Sequence, residues 1–133
     1  LPTEAEWEYA ACCSGGRNQT FAGGEDLDEL GWFKENSGGR THPVGQKTPN
    51  GLGLCDMSGN VSELVEDHFR DSNIGAPADG SAWRDAEGTN YRTERGGGWD
   101  DISRSCSTAS RRPVYGDMTG SFRGFRLARS FDP

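Results

Sequence analysis

Cys106 closes the stretch Gly96-Gly97-Gly98-Trp99-Asp100-Asp101-Ile102-Ser103-Arg104-Ser105-Cys106. A thiol so placed has two uses. It acts as a thiolate, in catalysis or as a ligand for a soft metal, or it packs as a small hydrophobe. The other cysteines, Cys12, Cys13 and Cys55, are sparse for a disulfide scaffold, and adjacent Cys12 and Cys13 would pair only with backbone strain. The histidines, His42 and His68, lack a paired metal-ligand spacing and read as hydrogen-bonding loop residues. Arg92, Arg95, Arg104, Arg111, Arg112, Arg123, Arg126 and Arg129 crowd the C-terminal segment. Such a set either binds anions or anchors loops through its planar donors, and anchoring is the better reading. Two glycosylation-type triplets, Asn18-Gln19-Thr20 and Asn60-Val61-Ser62, are too short to carry weight.

The elements that must position these residues are few. Thr3 followed by Glu6 forms a capping box, and Trp7, Ala10 and Ala11 repeat on one helical face. This predicts a helix over about residues 4–12, stopped by Ser14-Gly15-Gly16. Residues 21–53 carry turn residues throughout and read as loop, pinned to the core by Trp32 and Phe33. So long a loop needs a function or an ion to offset its entropy. Residues 61–66, "VSELVE", fit a strand or a helical turn, and residues 70–90 return to loop. "TERGGGW" and "FRGFRLA" read as two strands flanking a Ser/Arg/Gly-rich connection, with Phe125 and Leu127 alternating around Arg126. The expected fold is an irregular, loop-rich α+β domain.

Composition sets outer limits. The 133 residues make one domain, with no room for a second full core. Only 32% are hydrophobic and 20 are Gly, which suits a fold built on turns, while four Trp and six Phe supply enough area for a core. The net charge of −7 argues against a nucleic-acid partner. No apolar run is long enough to span a bilayer as a helix, and no signal peptide is visible.

"LPTEAEWEYA", "PVGQKTPNGLGLCDMSGNVSELVED", "RGGGWDD" and "GFRLA" occur in one order along the whole chain. Together they resemble four successive signatures of the formylglycine-generating-enzyme, or sulfatase-modifying factor, family. The resemblance implies that family's C-type lectin-like fold, with residues 1–133 forming its C-terminal portion and the N-terminal portion outside this chain. True formylglycine generators hold copper with two cysteines, at positions matching residues 101 and 106. Here the first is Asp101, and a carboxylate is a poor ligand for soft copper(I), so the resemblance implies no copper site. Iron-dependent relatives of the same fold need histidine ligands that His42 and His68 do not provide.

The resemblance further implies calcium at Asp56-Met57-Ser58-Gly59-Asn60-Val61-Ser62-Glu63. The ligands carried over are the side chains of Asp56 and Glu63 and the carbonyls of Gly59 and Val61. Calcium takes six to eight hard oxygens, and a tight Gly turn can aim carbonyls inward. Ser62 and Leu64 replace the family's usual aromatic pair around Glu63, which trims packing beside the site.

The non-catalytic branch of the family includes variable proteins of diversity-generating retroelements, whose C-terminal strand–loop–strand segment displays a binding surface. Residues 99–124 share that texture, with isolated apolar side chains among Ser, Thr, Arg, Gly and Asp. The expected contact residues are Trp99, Asp100, Asp101, Ile102, Ser105, Ser107, Ser110, Arg112, Val114, Tyr115, Asp117, Met118 and Phe122. Equally, the apolar ones could simply tuck under the loop. The expected function is ligand binding to a protein or cell-surface partner, which would put the domain outside the cell or on its surface. The alternatives are a degenerate, copper-independent oxidase using Cys106, and a vestigial regulatory domain of a larger protein.

Overall fold

The computed structural model describes residues 1–12, 19–84 and 88–130. The first helix, α1 (Glu4–Cys12), begins where the capping box places it. Glu6 N donates to Thr3 Oγ1 at 3.2 Å, and Thr3 N donates back to Glu6 Oε2 at 2.8 Å. The stop signal Ser14-Gly15-Gly16 lies outside the described residues, as do Cys13 and Asn18 of the first glycosylation-type triplet.

A four-stranded sheet carries the rest, in the order β3-β2-β1-β4. Strand β1 (Ser62–His68) resolves the ambiguity of "VSELVE" in favour of a strand. It pairs antiparallel with β2 (Tyr91–Arg95), which pairs antiparallel with β3 (Arg111–Tyr115). The two-residue β4 (Arg123–Gly124) runs parallel to β1. Among the described residues, four strands, two α-helices and a 3-10 turn at Ser103–Cys106, joined by long loops, make a mixed α+β domain.

Three expectations shift. The strand expected through "TERGGGW" stops at Arg95, because Gly96 and Gly97 turn with φ of 87° and 66°. The strand expected through "FRGFRLA" stops at Gly124, leaving Phe125 and Leu127 63% and 81% exposed. The connection between them contains β3, which pairs with β2 from Arg111 to Tyr115 and buries Val114.

The long loop over residues 21–53 also contains a short helix, α2 (Leu27–Leu30), capped by Asp26. Leu27, Leu30, Phe21 and Phe33 pack with Cys106 in one apolar cluster, so Phe33 does pin the loop. Trp32 is half-buried; it stacks on His42 with ring centroids 3.8 Å apart, and the Lys47 ammonium lies over its ring at 4.0 Å. The His42 main-chain N–H donates to Asn60 Oδ1, and its ring Nε2 lies 2.6 Å from the Ser37 carbonyl. Asn50 Nδ2 donates to the Ala10 carbonyl while its Oδ1 accepts from Leu52 and Leu54. Hydrogen bonds and stacking therefore hold this loop along much of its length.

The second cluster, Trp7, Ala11, Ala22, Met57 and Val65, lies between α1 and β1. With so few aliphatics, charged side chains fill the remaining interior. The Arg95 side chain is fully buried, and its guanidinium donates to Glu4 Oε1 (2.7 Å), Glu8 Oε2 (2.6 Å) and the Thr108 carbonyl (2.6 Å), beneath the Trp7 ring. Burial on this scale is tolerable only because both terminal nitrogens are paired; Nε is buried without a partner.

Candidate functional site

The turn after β2 brings the chemistry-bearing residues together. Gly97 has φ of 66°, and a Cβ there would lie 2.7 Å from Cys106 Sγ and 2.8 Å from the Ser105 carbonyl. The glycine lets the 3-10 turn close over the β2 end, and Cys106 is left with no solvent exposure. Burial, and then the negative charge of Asp101, push its thiol from an ordinary value near 9 up to about 12, with Arg112 opposing.

Asp101 is committed elsewhere. Its two oxygens accept from Arg112 Nη1 (2.8 Å) and Nη2 (3.1 Å), and Oδ2 also accepts the Gly98 N–H at 2.8 Å. Arg112 Nη2 donates as well to Ser62 Oγ at 2.7 Å, and Nε reaches buried Glu94 at 3.3 Å. Arg123 takes the other oxygen of Glu94. One ionic lattice thus ties β1, β2, β3, β4 and the Gly96–Asp101 turn together. The arginines here anchor loops, and Asp101 orients the turn in the way a capping carboxylate does. A cleft of about 150 Å³ opens between Ser62, Glu94, Gly97, Ser105 and Arg112.

The expected contact residues fall into three groups. Asp100, Ile102, Tyr115, Asp117 and Met118 are exposed; Ile102, Tyr115 and Met118 stand 48%, 42% and 57% in solvent. Trp99, Asp101, Ser105, Ser107, Ser110, Arg112 and Phe122 are half-buried, and Val114 is buried. The sheet divides them further. Strand side chains alternate, so Tyr115 leaves β3 on the opposite face from Arg112 and Val114. Tyr115 meets its register partner Tyr91 edge to face at 5.1 Å. Trp99 Nε1 donates to the Ser121 carbonyl, and Ser62 N donates to the Phe122 carbonyl, which straps residues 118–122 across the turn.

Sequence reasoning missed a groove of about 690 Å³ beside Tyr91, walled by Phe69, Trp83, Ile74 and Pro113. Ile74 is 90% exposed, and Arg70 lies over the Trp83 ring at 5.0 Å. The signal was weak, because these aromatics sit singly in a stretch of Gly, Ala and Asp.

The octet Asp56–Glu63 forms a buried turn leading into β1, with Asp56 and Asn60 both at positive φ (57° and 67°). Asp56 Oδ2 accepts the Gly45 N–H at 2.8 Å, whereas Oδ1 is buried with no partner. Gly59 has φ of 88°, and a Cβ there would lie 2.5 Å from the Trp32 carbonyl. Val61 is half-buried against Gly124. Glu63, 4% exposed, accepts from Trp7 Nε1 (2.7 Å) and Arg126 Nε (2.6 Å) at Oε2, and from Arg126 Nη2 (2.6 Å) at Oε1. Among the described residues, no three His, Cys, Asp or Glu side chains form a metal cluster. An ion in the octet would therefore lean on main-chain carbonyls. The unpartnered Asp56 oxygen and the all-oxygen donor set fit a hard cation.

Comparison with known proteins bears on the whole arrangement. The model of the sulfatase-modifying factor enzyme 1-like domain matches residues 1–131. A protein called chaperone protein LppX, from Paenibacillus barcinonensis, is 33% identical over 98% of this chain and 49% of its own length. Among solved structures, Treponema denticola variable protein 1 superposes with a TM-score of 0.82 at 35% identity, over 94% of this chain and 45% of that one. PvdO from Pseudomonas aeruginosa gives 0.83 at 32% identity, over 94% and 50%. The chain spans about half the length of these relatives.

Proposed function

The chain belongs to the sulfatase-modifying factor enzyme 1-like family, and from that premise we propose that it is a ligand-binding module presenting residues 100–122 to a protein or cell-surface ligand. The observation that carries this reading is the exposure of Ile102, Tyr115 and Met118 on a frame fixed by ion pairs to buried Glu94. Apolar side chains held out by a rigid scaffold lose little entropy on binding. The similarity to a variable protein supports the same reading. Use of Cys106 as a catalytic thiol finds no support, since its sulfur is sealed and its thiolate suppressed.

The test is a screen of the chain against peptide and glycan arrays, repeated with Tyr115→Ala and Met118→Ala. Either substitution at an exposed hot spot should weaken a hit at least about tenfold. Unchanged affinity for every hit, with unchanged circular dichroism, overturns the assigned surface.

The same reading includes calcium in the octet, held by Asp56 Oδ1, Glu63 and the carbonyls of Gly59 and Val61. The ion would neutralise buried carboxylates and stiffen the turn that leads into β1. Chelation should then lower the melting temperature by about 5 °C at an ion concentration tenfold above Kd. No change on chelation and readdition sinks this part.

A further inference from the structure

We infer that Arg126 is a built-in competitor of a cation in the octet, so that ion loading and docking of the C-terminal segment oppose one another. The inference rests on the proposed calcium reading and adds to it a means of regulation.

Arg126 first occupies acceptor sites that an ion would need. A carboxylate offers about four in-plane sites, two per oxygen. On Glu63, Trp7 Nε1 and Arg126 Nε fill both sites of Oε2, and Arg126 Nη2 fills one of Oε1. A cation arriving with Arg126 in place finds a single site on this side chain. When Arg126 leaves, Oε2 has one open site and Oε1 two, so Glu63 can close on the ion from both oxygens.

Arg126 also supplies the charge that an ion would bring. Arg126 Nη2 also donates to the carbonyl of Cys55, the residue before Asp56, at 3.1 Å. One guanidinium therefore spans the two ends of the octet. Its burial disfavours the charge, yet Glu63, with Asp56 close by, holds its pKa above the ordinary value. Two buried carboxylates share this one positive group. A divalent ion added beside it leaves a net positive interior, whereas the same ion without it leaves a neutral one.

Past Arg123, which Glu94 anchors, apolar contact adds little to hold the segment. Strand β4 is two residues long, and Phe125 and Leu127 on either side of Arg126 are 63% and 81% exposed. Releasing the Arg126 side chain uncovers little apolar surface. Linkage then requires that whatever weakens the Arg126–Glu63 contact favours the ion, and the reverse.

Calorimetric titration of the full polypeptide with calcium, as wild type, Arg126→Gln and Arg126→Lys, tests this. Removing the charge should tighten calcium binding about tenfold or more, while lowering the metal-free melting temperature. Lysine keeps the charge and should stay within about threefold of wild type. Hydrogen exchange of wild type provides a readout that does not depend on any variant folding: calcium should speed exchange over residues 125–130. Equal affinity in wild type and Arg126→Gln, or slower exchange with calcium, overturns the competition while leaving calcium in the octet. No binding by any of the three chains overturns the calcium reading itself, and the competition with it.

Discussion

Cys106 offers the sharpest test of whether this site packs or reacts. Its thiol is pushed from near 9 to about 12, first by burial and then by Asp101. At pH 8 that lowers the thiolate population roughly a thousandfold relative to an ordinary cysteine. In the native protein, iodoacetamide should label Cys55, a half-exposed free thiol, and leave Cys106 intact over the same period. Peptide mass spectrometry after a timed quench reads both at once. The same shift has a thermodynamic face. Between about pH 9 and 12 the unfolded chain releases the Cys106 proton and the folded chain keeps it. Stability therefore holds below pH 9 and falls by about 1.4 kcal/mol per pH unit above it from this group alone. Cys106→Ala removes the titration and leaves a small cavity, costing about 1–2 kcal/mol at pH 7. Urea melts of both chains at pH 9 and pH 10 should show the gap narrowing by about 1 kcal/mol, because half of the unfolded chains have already lost the proton at pH 9, while Tyr and Lys titration cancels between them. Labelling of Cys106 at the rate of Cys55, or a gap that does not change with pH, would refute the packed-thiol reasoning.

Other substitutions probe the frame. Asp101→Ala removes both oxygens from Arg112 and one from the Gly98 amide; the pair is partly solvated, so a loss of about 1–2 kcal/mol in urea melts is expected. Glu4→Gln takes a charge from Arg95, which is fully buried, and also from Arg111; a loss of about 3–5 kcal/mol by thermal melting is expected, and Arg95→Met with its partners also made neutral should recover much of it. Gly59→Ala forces a Cβ to within 2.5 Å of the Trp32 carbonyl at a φ of 88°, so backbone must move; expression of folded protein should fall sharply, whereas Gly38→Ala, at positive φ in open space, should cost about 1 kcal/mol.

Parts of this fold were legible because their signals are local. The capping box around Thr3 and Glu6 specified where α1 begins, since both of its hydrogen bonds span three residues. The four family signatures pointed to the fold because their order along the chain is itself information. Strand β3 was not legible. "RRPVY" contains a proline and two arginines, and nothing local says that Pro113 sits on an edge strand opposite Thr93. The alternation expected around Arg126 was visible yet misleading: Phe125 and Leu127 repeat at period two but face solvent, and the arginine between them points to Glu63. Period two marks a strand only when one face has something to bury against.

The harder lesson concerns which side chains make the interior. A chain with 32% hydrophobic residues should struggle to form a core, and this one places Arg95, Glu63, Glu94 and Asp67 inside it. Three of these charges are matched by a charged partner far away in sequence, Glu4 for Arg95, Arg126 for Glu63 and Arg123 for Glu94, while Asp67 accepts the main-chain N–H groups of Glu4 and Trp83. Such pairs fix register more strictly than apolar contacts, because a slipped partner leaves an uncompensated charge rather than a looser fit. That strictness lets the segment between β2 and β4 carry exposed Ile102, Tyr115 and Met118 without the scaffold depending on them. Substitution at those three positions should therefore change what the domain binds and leave its melting temperature within about 2 °C, whereas substitution at Glu94 or Arg95 should do the opposite. A scan that found both classes equally destabilising would place the exposed residues in the frame and remove the physical basis for a display surface.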